Sequence, residues 1–277
     1  MPTYVVTGVS RGIGFEFLRL LSNNADNTVI GLVRNVAATK KRVSEELKDA
    51  RGQIHILHVD LDDYDSIKNA AAETASITGG AIDYLVANAA YVPTNSEFFK
   101  TLGGLADDPK RIDQDLNKMI KTNVTGNIHL YNLFLPLILK GQTKKVICIT
   151  SGLAEIGMIN SMGLQVSPLY TITKAAMNVV TAKFNVEYKK DGVLFIGICP
   201  GMVGGDDALD PSQLTQEEMA AGMELVGKFC QYAPDFKGPV PPRDIVPKLV
   251  KVWEDASLEK GDGGGFLPHT GVPGKWL

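Results

Sequence analysis

At 277 residues, with 44% hydrophobic and 21% charged residues, the chain has the balance of a soluble globular protein and enough length to bury a large core in one α/β unit. A net charge of −3, with no basic run to outvote it, gives no reason to expect a nucleic-acid partner; Lys40-Lys41-Arg42 is followed by Glu45 and Glu46 and reads as a solvated helix face. No apolar run approaches the roughly 18 residues of a membrane helix, and no leader pattern precedes the first strand, so the expectation is a cytoplasmic protein without a membrane partner.

In chain order, strand and helix signals alternate. "TYVVTG" is a short β-branched run ending at Gly8, and "GIGFEFLRLLS" follows with helical spacing. "TVIGLVR" predicts a second strand, "NVAATKKRVSEELKDA" a helix, "QIHILHVD" a third strand, and "DYDSIKNAAAETASI" a helix with Asp63 as its cap. "IDYLVANAA" predicts a fourth strand running into a loop, and a long helical region follows from Asp108-Pro109 to about Leu139. "KKVICIT" predicts the fifth strand, "SPLYTITKAAMNVVTAKFNVEYKK" the next helix with Ser167 as N-cap and Pro168 as its first residue, and "VLFIGICP" the sixth strand. A Gly- and acid-rich loop then leads to a helix at about 213–230; "PPRDIVPKLVKVWEDA" begins another, and "GGGFLPH" forms a last strand. The strands are nearly continuous apolar runs, as strands covered on both faces should be. Regular alternation implies right-handed crossovers, a doubly wound parallel sheet with helices on both faces, and a single domain over 1–277. Cys148 and Cys199 fall inside these apolar runs and read as reduced core thiols.

Two stretches carry chemistry. "TGVSRGIG" places Gly8, Gly12 and Gly14 at the first strand-to-helix turn, where glycines let a pyrophosphate approach the helix N-terminus. The second strand ends in Arg34, where NAD enzymes carry an acid for the ribose hydroxyls; with Arg11 it forms a clamp for a 2′-phosphate, the alternative being two solvated arginines. That pattern favours NADP(H) over NAD(H). In "SPLYTITKAA", Tyr170 and Lys174 lie one helical turn apart on one face. An ammonium beside a phenol favours the phenolate, so the pair suits proton exchange with a substrate; the alternative is a packed Tyr170 and a solvated Lys174.

Taken together, these motifs resemble the short-chain dehydrogenase/reductase family over nearly the whole chain. "TGVSRGIG" is similar to the family's T-G-x-x-x-G-x-G turn, which implies cofactor contacts from Gly8, Ser10, Arg11, Gly12, Ile13 and Gly14. Asp60, with Leu61 beside it, resembles the residue that hydrogen-bonds adenine; Asn88 and Ala89 in "ANAA" resemble the N-A-G motif, with Ala90 in place of glycine. Asn123, Ser151, Tyr170 and Lys174 match the family's catalytic set, and Pro200, Gly201 and Val203 in "CPGMV" match the loop that receives the nicotinamide. Narrower similarities in "VVTGVSRGIG", "GLVRNV", "LVANAA" and the tail "GGGFLPHTG…W" point to fungal polyketide ketoreductases typified by norsolorinic acid ketoreductase, which act on aryl ketones.

The resemblance implies a Rossmann-type fold, NADP(H) as cofactor, and a ketone or alcohol as small-molecule substrate. Tyr170 would be the general acid, Lys174 its activator and ribose ligand, and Ser151 the oxyanion donor. Asn123 would hold a water joining Lys174 to solvent, or lock a helix kink, or both. A redox-neutral epimerase or cyclase with bound NADP, and a non-catalytic NADP sensor, are the competing functions. The pattern departs from the family in three places: Ala90, Gly205 where a threonine is frequent, and a longer Ser151-to-Tyr170 spacing. The extra residues, "GLAEIGMINSMGLQVSP", read as a loop beside the substrate or a surface excursion; the substrate region is expected at about 201–240, with "GMVGGDDALDPSQ" as a mobile lid or a static loop. The long apolar helices around Asn123 and Tyr170 suggest a homodimer or homotetramer. Trp276 packs against a partner subunit or caps the substrate mouth. No metal site is expected.

Overall fold

Among the residues described by the computed structural model (1–93, 99–205 and 214–277), seven strands form one parallel sheet in the order β3-β2-β1-β4-β5-β6-β7. They are β1 (Thr3–Thr7), β2 (Thr28–Val33), β3 (Gln53–His58), β4 (Tyr84–Ala87), β5 (Lys145–Ile149), β6 (Leu194–Cys199) and β7 (Phe266–Pro268). Every pairing is parallel, with Tyr4 opposite both Val29 and Tyr84, and Ile147 opposite both Val86 and Ile196. The helices are α1 (Gly12–Leu21), α2 (Val36–Glu46), α3 (Tyr64–Thr78), α4 (Pro109–Met119), α5 (Gly126–Ile138), α6 (Ile156–Met162), α7 (Pro168–Tyr188), α8 (Gln216–Tyr232) and α9 (Pro242–Asp255).

Strand periodicity explains the two cores. Val6, Val29, Ile147 and Ile196 face α1 and α9, while their neighbours Val5, Ile30, Val146 and Phe195 face α3, α5 and α7. On the first face α9 buries Ile245, Val246, Leu249, Val252 and Trp253, a helical stripe, and Trp253 meets Phe17 of α1 with ring centroids 5.0 Å apart. On the second, Leu130, Tyr131 and Phe134 of α5 pack with Met177 of α7. This is the doubly wound α/β fold expected from the alternation, in a single domain.

Helix ends follow their local sequence. Asp63 caps α3 by accepting from the N–H groups of Asp65 and Ser66, and Thr215 with Glu218 forms a reciprocal capping box on α8. The buried Asp83 carboxylate, at the edge away from the glycine turn, receives the N–H groups of Thr3, Gln142 and Thr143 and ties the starts of β1, β4 and β5 together. Lys145 donates to the carbonyls of Trp253 and Glu254 at the C-terminus of α9, a favourable place for a cation; burial pushes its ammonium below the ordinary lysine range.

Two expectations change, and the long helix expected from Asp108-Pro109 to about Leu139 is found with one added feature. Ser167 stands at the N-cap position of α7 but adopts left-handed backbone (φ 56°), is fully buried, and makes no capping hydrogen bond. A side-chain cap is made from extended backbone, which the left-handed conformation of Ser167 does not provide. The segment between Ser151 and Tyr170 is not a plain loop: it holds a 3₁₀ turn at Gly152–Ala154 and then α6. The long helix is continuous only through a π-turn, Ile120–Thr125, between α4 and α5. The predicted lid "GMVGGDDALDPSQ" lies partly outside the described residues, as does the start of the helix expected near 213.

Candidate active site

The chain leaves β1 toward β2 on one side and meets β4 on the other, so the crevice at the C-terminal edge opens above β1 and β4. Thr7, at the end of β1, accepts from the N–H groups of Asn88 and Ala89, each at 3.0 Å. Asn88 returns its amide to the carbonyls of Thr7 (3.0 Å) and Gly8 (3.4 Å). The two strand ends are thereby laced into one floor. A Cβ on Gly14 would collide with the Gly8 carbonyl and stand 2.6 Å from Asn88 Nδ2, so only glycine lets α1 start this close to the turn. Arg11, in the N-cap position, makes no side-chain cap bond, and the first turn of α1 holds no acid. The N–H groups of a helix start with no acid in its first turn suit a pyrophosphate. Arg11, Ser10 and Arg34 are exposed around it, and Ile13 packs on the core below.

A third arginine belongs here. Helical spacing groups Arg42 with a solvated face, and Lys40 and Lys41 are exposed, but Arg42 donates to the Ser10 carbonyl at 3.1 Å and lies 4.1 Å over the Phe15 ring. Its reach across from α2, invisible in helical spacing, makes it a brace of the glycine turn. A cavity of about 440 Å³ opens beside it, lined by Gly12, Phe15, Arg42, Gly205, Pro242 and Arg243 among others; it includes none of Ser151, Tyr170 and Lys174. Asp60 accepts from the Asp62 N–H at 3.0 Å, whereas Leu61 is buried and packs under the start of α5.

At the reacting end, Lys174 is 5% exposed. Its Nζ donates to the Ile149 carbonyl at 2.8 Å and stands 5.5 Å from the Tyr170 ring centroid. The solvated-lysine alternative therefore does not describe this residue. Tyr170 is half-buried against Leu105, Met119 and Leu169. Ser151, following β5, accepts from the Leu153 N–H at 3.3 Å, which leaves its hydroxyl hydrogen to donate elsewhere.

Asn123 sits in the π-turn, 1% exposed. Its Oδ1 accepts from the Tyr91 N–H at 2.6 Å, and its Nδ2 donates to the Tyr91 carbonyl at 2.9 Å and to Thr173 Oγ1 at 3.3 Å. Thr173 in turn donates to the Tyr170 carbonyl at 2.8 Å. Both amide hydrogens are thus engaged in holding the loop after β4 to α7. The Asn123 carbonyl accepts from Asn127 Nδ2 at 2.7 Å.

Beyond β6, Pro200 is buried, Gly201 lies against the His269 ring, and Val203 bridges to Val240. Burial, with Lys248 nearby, pushes the His269 imidazole below the ordinary histidine range, toward its neutral form. Cys199 Sγ accepts from the N–H groups of Gly152 (2.9 Å) and Gly201 (3.3 Å). Gly205 has φ 129°, a conformation that a threonine would adopt only with strain, which gives that departure a backbone reason. Ala90 is exposed without positive φ, so its methyl group replaces hydrogen at no backbone cost.

Residues 2–213 match the family model described as short chain dehydrogenase. The chain belongs to the short-chain dehydrogenase/reductase family. It is 50% identical to the short chain dehydrogenase virK of Hypocrea virens and 47% identical to the short-chain dehydrogenase/reductase iacC of Pestalotiopsis fici, with 100% of both chains covered in each case. The NADPH-bound carbonyl reductase from chicken fatty liver superposes with a TM-score of 0.74 at 22% identity, over 98% of this chain and 97% of that one. The carbonyl reductase Sniffer of D. melanogaster gives 0.73 at 20% identity, over 99% and 98%. At those identities the structures speak for the fold.

As a short-chain dehydrogenase/reductase, the protein is in a family of oxidoreductases that act on CH–OH/C=O groups with NAD(P). The glycine turn, with no room for a Cβ at Gly14 and no acid at the helix start, fits a dinucleotide phosphate. Thr7, Arg42, Tyr91, Thr173, Cys199 and Trp276 are site neighbours to which motif reading assigns no cofactor or catalytic contact. Thr7, Thr173 and Cys199 lie inside the quoted motifs, Thr7 as the hydrogen-bond hub of the first; Arg42, Tyr91 and Trp276 approach from other segments. Trp276 packs within its own chain among Met158, Leu164, Cys199, Leu225 and Phe229. No helix among the described residues is long and apolar enough to cross a membrane, and no group of candidate metal ligands occurs among them.

Proposed function

We propose that the protein is an NADPH-dependent carbonyl reductase that reduces a ketone of aromatic or polyketide type, built as one catalytic domain over 1–277 with its substrate region at about 201–240. The observation that carries this reading is the buried Lys174 ammonium, fixed by the Ile149 carbonyl and facing the Tyr170 ring at the crevice edge. When bound, NADPH supplies the hydride. Tyr170 donates its phenolic proton to the carbonyl oxygen as negative charge grows there. Lys174 stabilises the phenolate left behind, more strongly for being out of water. Ser151 donates to the developing oxyanion and orients the carbonyl. Asn123 acts as a positioning residue, holding Thr173 and hence the backbone of Tyr170.

Arg34 supports NADP over NAD, because an exposed guanidinium follows β2 where ribose recognition would place an acid. Pro200, Gly201 and Val203 would flank the nicotinamide, and Asp60 the adenine. The ketone class is supported by the apolar cluster next to Ser151, which includes Leu153, Met158, Met162 and Met202. Ile172, Val179 and Val186, all exposed and one heptad apart on α7, support a homodimer or homotetramer through that face. Free Cys148, Cys199 and Cys230 suit a reducing cytoplasm. The test is NADPH consumption with a panel of aryl ketones. Ketone-dependent oxidation that prefers NADPH over NADH supports the reading; product formation without cofactor consumption overturns it in favour of redox-neutral chemistry.

A further inference from the structure

The turn that carries Ser151 is held from outside. Gly152, the next residue, is boxed: its N–H donates to Cys199 Sγ at 2.9 Å, and a Cβ there would stand 3.3 Å from that sulfur, 3.4 Å from Met158 Sδ and 3.7 Å from Trp276 Cβ. Trp276 comes from the far end of the chain. It is 8% exposed, and its ring centroid lies 4.5 Å from that of Phe266 on β7.

The tail that delivers it is built, not draped. The Lys275 N–H donates to the Val272 carbonyl at 3.0 Å, and Thr270 Oγ1 donates to the Lys275 carbonyl at 2.8 Å. The Tyr232 hydroxyl donates to the Gly274 carbonyl, fastening the tail to α8. On the other side of Gly152, the Cys199 sulfur also accepts from the Gly201 N–H at 3.3 Å. One sulfur therefore joins the serine turn to the loop after β6. Burial pushes the Cys199 thiol up to about 11, although both N–H groups oppose the shift, so at neutral pH it is a protonated acceptor and not a nucleophile.

We propose that Trp276 is a positioning residue for Ser151, acting through Gly152 and the sulfur of Cys199. The tail presses the serine turn onto the loop after β6 and so sets where the Ser151 hydroxyl meets the substrate oxygen. The role of Ser151 rests on the carbonyl-reductase reading; the placement of its turn does not.

The test compares Trp276→Ala, Trp276→Phe and Cys199→Ala with the wild-type full chain. Hydrogen exchange of the 151–158 segment, read by mass spectrometry, is expected to quicken in Trp276→Ala and to return toward wild type in Trp276→Phe, while β1 and α1 stay protected. NADPH affinity, measured by fluorescence titration, is expected to hold within about twofold. With an aryl ketone, kcat is expected to fall about ten- to a hundredfold, the scale of a misplaced reacting group, with the KM for NADPH little changed. Wild-type exchange at 151–158 in Trp276→Ala, or an unchanged kcat, overturns the proposal; so does a uniform loss of protection that Trp276→Phe does not repair. Should Trp276→Ala fail to fold, Cys199→Ala decides: faster exchange confined to 151–158 and the 200–204 segment supports the clamp, and no change refutes it. A wild-type protein that turns over no ketone defeats the functional reading while the exchange measurements still judge the clamp.

Discussion

Replacing Asn123 by alanine separates a scaffold from a proton relay. The side chain makes three hydrogen bonds at 1% exposure, two of them to the backbone of Tyr91 at 2.6 and 2.9 Å. Each intramolecular bond contributes about 0.5–1.5 kcal/mol net, and leaving the part-buried Tyr91 N–H without a partner costs up to about 3 kcal/mol. Alanine cannot bring in replacements, and the weak 3.3 Å bond to Thr173 adds little, so the expected destabilisation is about 2–4 kcal/mol. For a chain of 277 residues that corresponds to a fall in Tm of about 3–7 °C. Asn123→Asp is the companion variant. It keeps the acceptor for the Tyr91 N–H but turns an oxygen toward the Tyr91 carbonyl, and should recover at most part of the loss. Differential scanning fluorimetry reads the melting temperatures, and steady-state reduction of an aryl ketone reads turnover. A normal Tm with collapsed turnover in Asn123→Ala would refute the scaffold assignment and return the side chain to proton transfer.

Tyr170→Phe should keep NADPH binding and lose kcat by two or more orders of magnitude, the usual worth of a positioned acid, with Ser151→Ala losing somewhat less; near-normal turnover in Tyr170→Phe would remove the phenol from the chemistry. Arg34→Asp should weaken the preference for NADPH over NADH by at least about tenfold, the loss of one charge-assisted phosphate contact, and an unchanged ratio would count against the clamp. Asp62 supplies a pH test. Burial pushes its carboxyl up, but hydrogen bonds from Lys118 and Thr122 prevail and hold it below its ordinary 3.8. A depressed carboxylate stabilises the fold above that ordinary value and loses its contribution as the pH falls through the folded-state value. Wild type should therefore resist urea better than Asp62→Asn at neutral pH, and the gap should close in acid; a gap that widens in acid would reverse the sign.

The fold was legible because its determinants are local. Apolar runs such as "YLVA" and "LFIGIC", alternating with helical spacing, fix strands and helices, and parallel order follows from the connections. The glycine turn and the Tyr170–Lys174 pair were legible for the same reason: each lies within one short stretch, and a helix turn fixes its spacing. The failures were also physical. Ser167 has the composition of a cap, but the preceding chain enters α7 through left-handed backbone, and no single-residue preference reports that. Arg42 looked solvated because a helix face says nothing of what a neighbouring turn offers across space.

Trp276 was the hardest to place, and its position shows how the site divides. Tyr170 and Lys174, the proposed acid and its activator, lie on α7, and Ser151, the proposed oxyanion donor, follows β5; the two cores hold both elements. The residues around Trp276 come from α6, α8, the loop after β6 and the chain's end, which meet in a separate apolar cluster outside both cores. A core position constrains residue type through its own strand or helix, so it can be read locally. A position in the outer cluster is constrained only by partners from distant segments, and its sequence signal is a lone aromatic near a terminus. The proposed chemistry is therefore read from local sequence, whereas the outer cluster is written in contacts that only the folded chain brings together.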